Sequence, residues 1–205
     1  MIQEERIWFT SNDLQLEGLF HQGEIPAAGV VLAHPNPAMG GTMHSFVVEC
    51  LMQAFAEMGF STLRFNFRGA GHSEGISDEG RGEVNDLREA VSFLREKGAG
   101  NIILAGYSFG AWVVSRYLLH DDADFDKVIM VAPPVSIYSF AAEALANRVS
   151  LIICGDRDSF CLFDDVSSFG DAVRAQIVRM PRTDHFFAGR EDSLIQAIQE
   201  YMRGK

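Results

Sequence analysis

Gly106-Tyr107-Ser108-Phe109-Gly110 stands directly between the apolar run Ile102-Ile103-Leu104-Ala105 and the apolar stretch Ala111-Trp112-Val113-Val114. A run of strand length leading straight into a helix leaves room only for a tight bend with a serine at its apex. Glycine two residues before and two after lets strand and helix approach without Cβ atoms between them. The hydroxyl is thereby pushed out above a sheet, at a helix N-terminus whose free N–H groups favour a developing negative charge. That is the local geometry nucleophilic acyl transfer requires, and Ser108 is the candidate nucleophile.

The rest of the chain supplies such a sheet. Ile7-Trp8-Phe9 and Leu14-Gln15-Leu16-Glu17-Gly18-Leu19 flank the turn-forming Ser11-Asn12-Asp13 and read as an antiparallel hairpin. Six short, mostly apolar runs follow: 29–33, 61–65, 102–104, 128–132, 151–154 and 176–178. Continuous apolar character over four or five residues is the pattern of strands buried on both faces. Helical spacing separates them, at Val47, Val48, Leu51, Phe55 and Met58 before Gly59, and at Val84, Leu87, Val91 and Leu94 before Gly98. Right-handed β-α-β crossovers then predict an α/β fold, a three-layer αβα sandwich with a mostly parallel sheet and an antiparallel N-terminal hairpin, formed by residues 1–205 as one domain.

In such sheets functional groups gather beyond the carboxyl ends of the strands. His185 follows the last strand and precedes a helix with Leu194, Ile198 and Met202 on its apolar face, which makes it the candidate base. The acid is sought in Cys154-Gly155-Asp156-Arg157-Asp158, after the strand Leu151-Ile152-Ile153. Asp158 is favoured, because a side chain needs several residues to swing back over the sheet, and Asp156 is the alternative, with turn capping as its structural role. Two backbone N–H groups must face the tetrahedral oxygen. Phe109 offers one; in Ala33-His34-Pro35-Asn36-Pro37 the prolines have no N–H, which leaves Asn36 for the other. His34 reads either as part of that loop's function or as a structurally satisfied imidazole.

Composition excludes other classes. Charge sums to −11 without a basic stripe, which speaks against nucleic acid and anionic membranes and for a small-molecule substrate. No His-Glu-x-x-His or phosphate-loop pattern occurs, and Gly69-Ala70-Gly71-His72-Ser73-Glu74 has glutamate where a dinucleotide fingerprint needs glycine, so neither metal nor organic cofactor is expected. Cys50, Cys154 and Cys161 form no Cys-x-x-Cys pair and are expected to be reduced and mostly buried. With no signal-like start and no long apolar segment, the chain is expected in the cytoplasm.

Taken together, these motifs resemble the α/β-hydrolase superfamily, and within it a small lidless bacterial branch of serine hydrolases. The resemblance runs through His34-Pro35-Asn36-Pro37, Gly40-Gly41-Thr42-Met43, Leu63-Arg64-Phe65-Asn66-Phe67-Arg68-Gly69, the Ser108 pentapeptide, Gly155-Asp156-Arg157-Asp158 and Asp184-His185-Phe186-Phe187. It implies a Ser108, Asp158, His185 triad and an oxyanion hole from Asn36 and Phe109. Two positions depart from the common pattern: His-Pro replaces His-Gly, and Asn66 stands where many relatives have aspartate. Residues 133–148 hold one helix at most where larger relatives carry a cap, with Ile137, Tyr138, Phe140 and Leu145 available as a pocket border. Phe109, Phe160, Phe163, Phe186 and Phe187 suggest an apolar acyl or leaving-group site. The expected activity is carboxylesterase-like hydrolysis of a small ester-type substrate; the alternatives are an acyltransferase and a non-catalytic scaffold of the same fold.

Overall fold

The computed structural model describes residues 2–25 and 27–204. Strand β1 (Glu5–Ser11) turns at Asn12 and Asp13, both at positive φ, into β2 (Leu14–His21). Then follow β3 (Ala28–Ala33), α1 (Phe46–Ala56), β4 (Ser61–Phe65), α2 (Arg81–Glu96), β5 (Asn101–Tyr107) and α3 (Phe109–Tyr117). The chain ends with β6 (Lys127–Val131), β7 (Leu151–Gly155), α4 (Phe163–Val173), β8 (Gln176–Met180) and α5 (Glu191–Met202). The eight strands form one sheet in the order β1-β2-β4-β3-β5-β6-β7-β8, antiparallel at β1-β2 and β2-β4 and parallel elsewhere.

The apolar runs become strands because helices cover both faces. Every residue of β3, β4 and β7 is buried, as are all but the first of β5 and β6. Helices α1 and α5 pack together on one side, α2 and α3 on the other, and α4 lies on β7 and β8. Helix α4 is absent from the sequence reading: its acidic first turn, Asp164 and Asp165, and its glycine at 170 obscured a periodicity carried by Val166, Phe169 and Val173. His21 ends β2, where its Nδ1 meets the Gln3 carbonyl at 2.9 Å. No described helix is long and apolar enough to cross a membrane.

Register brings the functional loops to one edge. Ala33 pairs with Gly106, Tyr107 with Val131, and Gly155 with Met180, so β3, β5, β7 and β8 all deliver their loops to the same carboxyl end of the sheet. The joint between β5 and α3 tolerates no side-chain atom at its glycines. A Cβ on Gly110 would overlap the carbonyl oxygen of Ala33, and one on Gly106 would come within 2.6 Å of the Ala111 backbone. Replacing Gly110 by alanine must therefore push α3 off β3. We expect Gly110→Ala to lower unfolding free energy by about 1–3 kcal/mol, as overpacking does. Urea melts of the two proteins test this, and an unchanged midpoint would show that the joint has slack.

Candidate active site

Ser108 is held at φ 53°, ψ −119°, a region side-chain-bearing residues rarely adopt. The strain is sustained from both sides. The Ser108 N–H donates to the Val131 carbonyl at 2.9 Å, and the Ser108 carbonyl accepts from Ala111 N–H at 2.9 Å in the first turn of α3.

His185 sits five residues beyond the end of β8 and is 7% exposed. Its Nδ1 lies 2.8 Å from Asp158 Oδ2, and its Nε2 lies 3.0 Å from Ser108 Oγ. A carboxylate only accepts, so Nδ1 carries the proton and the Nε2 lone pair faces the serine hydroxyl. The other Asp158 oxygen accepts from the N–H groups of Phe160 and Cys161, both at 2.8 Å, which fixes the carboxylate plane. Of the two aspartates in this loop, the structure brings Asp158 to the imidazole. Asp156 instead accepts from Arg182 N–H at 2.6 Å and lies 3.7 Å from Arg179, tying the loop after β7 to the loop after β8.

Two residues beside His185 carried no sequence signal. Tyr107 donates its hydroxyl to the His185 carbonyl at 3.0 Å, and its ring lies 5.4 Å from the imidazole. Burial, reinforced by the nearby Asp158 charge, pushes the phenol's pKa up and keeps it a donor. Cys161 Sγ lies 3.7 Å from His185 Nδ1 and donates to the Ala132 carbonyl at 3.0 Å. Burial and Asp158 likewise raise its pKa, so it stays a thiol. Asp158, Cys161 and His185 are the one group of three potential metal ligands among the described residues, yet an ion there would have to displace both the thiol proton and the Nδ1 proton.

The N–H groups of Phe109 and Asn36 face no protein acceptor among the described residues. Phe109 opens α3; Asn36 caps the short 3₁₀ turn Pro37–Met39, accepting from Ala38 N–H at 2.8 Å. Both residues line one cleft of about 410 Å³ together with Ser108 and His185. The loop that carries Asn36 is pinned by His34, which is wholly buried. Its Nδ1 donates to the Pro35 carbonyl at 2.6 Å and its Nε2 accepts from Phe67 N–H at 2.9 Å, a pattern that only the neutral ring can satisfy. Burial pulls its pKa down to about 4. Its reading as a satisfied structural imidazole thus agrees with the geometry, and its position makes it the anchor of the Asn36 loop. On the far side, Asn36 Nδ2 donates to Tyr138 Oη at 3.0 Å, and Tyr138 stacks on Trp112 at 4.4 Å.

The departure at Asn66 has a local reason. Its Oδ1 accepts from Met43 N–H at 2.8 Å while its Nδ2 donates to Glu17 at 2.6 Å, and an aspartate there would set two carboxylates against each other. Burial raises the Glu17 pKa, but hydrogen bonds from His72 and Asn66 outweigh it and hold the carboxyl below its usual range. Arg68 spends its guanidinium on the fully buried Asp86, with contacts of 2.7–3.2 Å, and so holds α2 to the turn after β4.

Among the five phenylalanines expected near the site, Phe109, Phe160 and Phe186 line the cleft. Phe187 is instead fully buried, and Phe163 packs under Arg179 at 4.7 Å. Likewise Ile137 and Tyr138 border the cleft, whereas Leu145 is core and Phe140 packs on Phe169. Residues 133–148 form turns and contain no described helix.

The sheet order and the strained serine after β5 define an α/β-hydrolase without a lid. Residues 25–154 match the family model for serine aminopeptidase, S33, and the chain belongs to that family. An α-β serine hydrolase homologue from Coxiella burnetii is 32% identical, with a TM-score of 0.89 over 98% of each chain. A lidless α/β serine hydrolase from Xanthomonas campestris is 29% identical with a TM-score of 0.89, covering 99% of this chain and 95% of its own. An uncharacterized protein of Rickettsia prowazekii is 29% identical over 210 residues, 96% of this chain and 88% of that one.

The neutral state of His34 makes stability depend on pH. In the unfolded chain a histidine binds a proton below about pH 6.5, whereas folded His34 does so only near 4. The folded-state pKa is depressed, so the stability linked to this group is complete above about pH 6.5 and is lost as pH falls toward 4. We expect the unfolding free energy of the native protein to fall in that window more steeply than that of His34→Gln, by up to about 1.4 kcal/mol per pH unit. Denaturant melts at pH 4.5, 5.5, 6.5 and 7.5 compare the slopes; parallel profiles would contradict a neutral buried His34.

Proposed function

We propose that the protein is a serine hydrolase that cleaves a carboxylic ester-type bond of a small substrate through an acyl-enzyme on Ser108. The observation that carries this reading is the unbroken hydrogen-bonded line from Ser108 Oγ through His185 to Asp158, opening into the cleft. In it, His185 Nε2 removes the Ser108 proton as Oγ attacks the substrate carbonyl. Asp158 keeps Nδ1 protonated and stabilises the imidazolium that forms. The negative charge on the tetrahedral oxygen is met by the N–H groups of Phe109, at the N-terminus of α3, and of Asn36.

His185 then returns the proton to the leaving oxygen and the alcohol departs. Water, deprotonated by the same Nε2, attacks the acyl carbon; the bond to Ser108 Oγ then breaks, Oγ takes the proton back from His185, and the acid is released. Every step uses side chains and backbone donors of this chain, and we read its partner as a small-molecule acyl substrate rather than nucleic acid or membrane. The three free, buried cysteines suit a reducing compartment, which supports a cytoplasmic location.

Labelling with a fluorophosphonate tests the nucleophile. We expect Ser108→Ala to remain folded, to lose all labelling, and to lose ester turnover by a factor of about 10⁵ or more. Labelling that persists in the variant would reject Ser108.

Exchanging the two aspartates separately tests the acid. Asp158→Asn should lower kcat by about 10³- to 10⁴-fold, because its amide forces the wrong imidazole tautomer. Asp156→Asn keeps an acceptor for Arg182 N–H and should stay within about tenfold of the native kcat. A larger kcat loss for Asp156→Asn would reverse the assignment.

A further inference from the structure

Among the described residues, no Asp, Glu, Lys or Arg side chain lines the cleft around Ser108. Met39, Phe46, Ile137, Phe160 and Phe186 line it instead, and they are five of the ten exposed large apolar side chains among the described residues. Phe160 and Phe186 flank the imidazole itself, with ring centroids 5.0 and 5.6 Å from it. Half of the exposed large apolar side chains among the described residues thus surround Ser108.

The carboxylates on the neighbouring loops lie outside that lining. Both oxygens of the buried Asp158 are engaged, one by His185 and the other by two backbone N–H groups. Asp184 is exposed outside the cleft and accepts from Phe186 N–H at 3.0 Å, and Asp156 binds Arg182 N–H. The amide of Asn36 is spoken for at both ends. Among the described residues, no carboxylate lines the cleft itself to meet a cation bound beside Ser108.

This bears on the bond the site can take. In an N-terminal aminoacyl substrate the ammonium nitrogen lies about 2.5 Å from the carbonyl carbon under attack. Once that carbon is on Ser108 Oγ, the ammonium must itself be inside the cleft. There it would lose water without gaining a counter-ion, beside an imidazole that becomes positive as the reaction proceeds.

From this we infer that the site is built for acyl groups uncharged at the α-carbon, and that it discriminates against substrates with a free α-ammonium. The inference rests on the acyl-enzyme reading and adds the substrate class to it. It separates this chain from the activity that its family's description names, since an aminopeptidase must accept that ammonium. The net charge of −11 works in the other direction, drawing cations toward the protein, so discrimination has to come from the cleft.

The test uses the methyl esters of 4-methylpentanoic acid, N-acetyl-leucine and leucine, which share the isobutyl group and the leaving group and differ at the α-carbon. Rates are measured in about 0.15 M salt, where long-range attraction is largely screened. The pH is kept low enough to hold the leucine ester protonated, and each kcat/KM is divided by that ester's rate with hydroxide. We expect the two neutral esters to exceed the charged one by at least about 30-fold. Ile137→Glu, at an exposed wall position, should fold normally and shift that ratio about tenfold toward the leucine ester. If the protein labels with a fluorophosphonate at Ser108 yet turns over the leucine ester as well as the neutral ones, the inference is overturned while the hydrolase reading stands. A ratio unmoved by Ile137→Glu overturns charge as its cause. No labelling and no turnover of any ester would remove the hydrolase reading itself, and the inference with it.

Discussion

The near-contact between the start of α3 and the end of β3 is the constraint on which the rest of the molecule depends. Because residue 110 has no side chain, the helix reaches the Ala33 carbonyl, and the turn between β5 and α3 has to close within a single residue. Ser108 absorbs the resulting backbone strain. A looser joint would leave its hydroxyl free to turn away and would carry the Phe109 N–H out of line with it. Stability is thus spent on placing one oxygen atom, and the fully buried strands on either side supply it.

Around that point the loops are fastened both to one another and to the sheet. Asp156 joins the turn after β7 to the one after β8, Tyr107 holds the main chain of His185, and His34 clamps the proline-rich loop to Phe67, just beyond β4. Each fastening joins partners far apart in sequence, and those of Tyr107 and His34 are buried. Satisfied networks of this kind fix side chains in one arrangement, because a misplaced member would leave its partner unpaired in a medium of low polarity.

The distance between partners also explains what could be read from the chain alone. The alternation of apolar runs and helical spacing gave the layers and the hairpin, because those patterns are local. Ser108, Asp158 and His185 could be singled out because each lies within five residues of the end of a strand, at the sheet edge where the register gathers the loop ends. Tyr107 and Cys161 were not legible as neighbours of His185: an aromatic or a thiol in an apolar stretch has the same local signature whether it fills the core or steadies an imidazole. The same ambiguity misplaced Phe163 and Phe187. Helix α4 escaped notice because its polar and small residues weaken the period on which recognition depends.

The segment over the cleft, residues 133–148, is a wall and not a hinged cover. Tyr138 is stacked on Trp112 and bonded to Asn36, and the Trp112 indole N–H donates to the Ser139 carbonyl at 3.0 Å, so the segment is stapled to α3 and to the Asn36 loop at once. An enzyme that shuts its site can protect a reactive intermediate until the intended acceptor arrives. A fixed wall offers no such shelter. An acyl group carried on Ser108 would meet bulk water throughout its lifetime, and at 55 M water outcompetes any dilute alcohol or amine that the cleft does not bind in advance. On the acyl-enzyme reading proposed above, such a wall would favour release of a free acid over transfer of the acyl group.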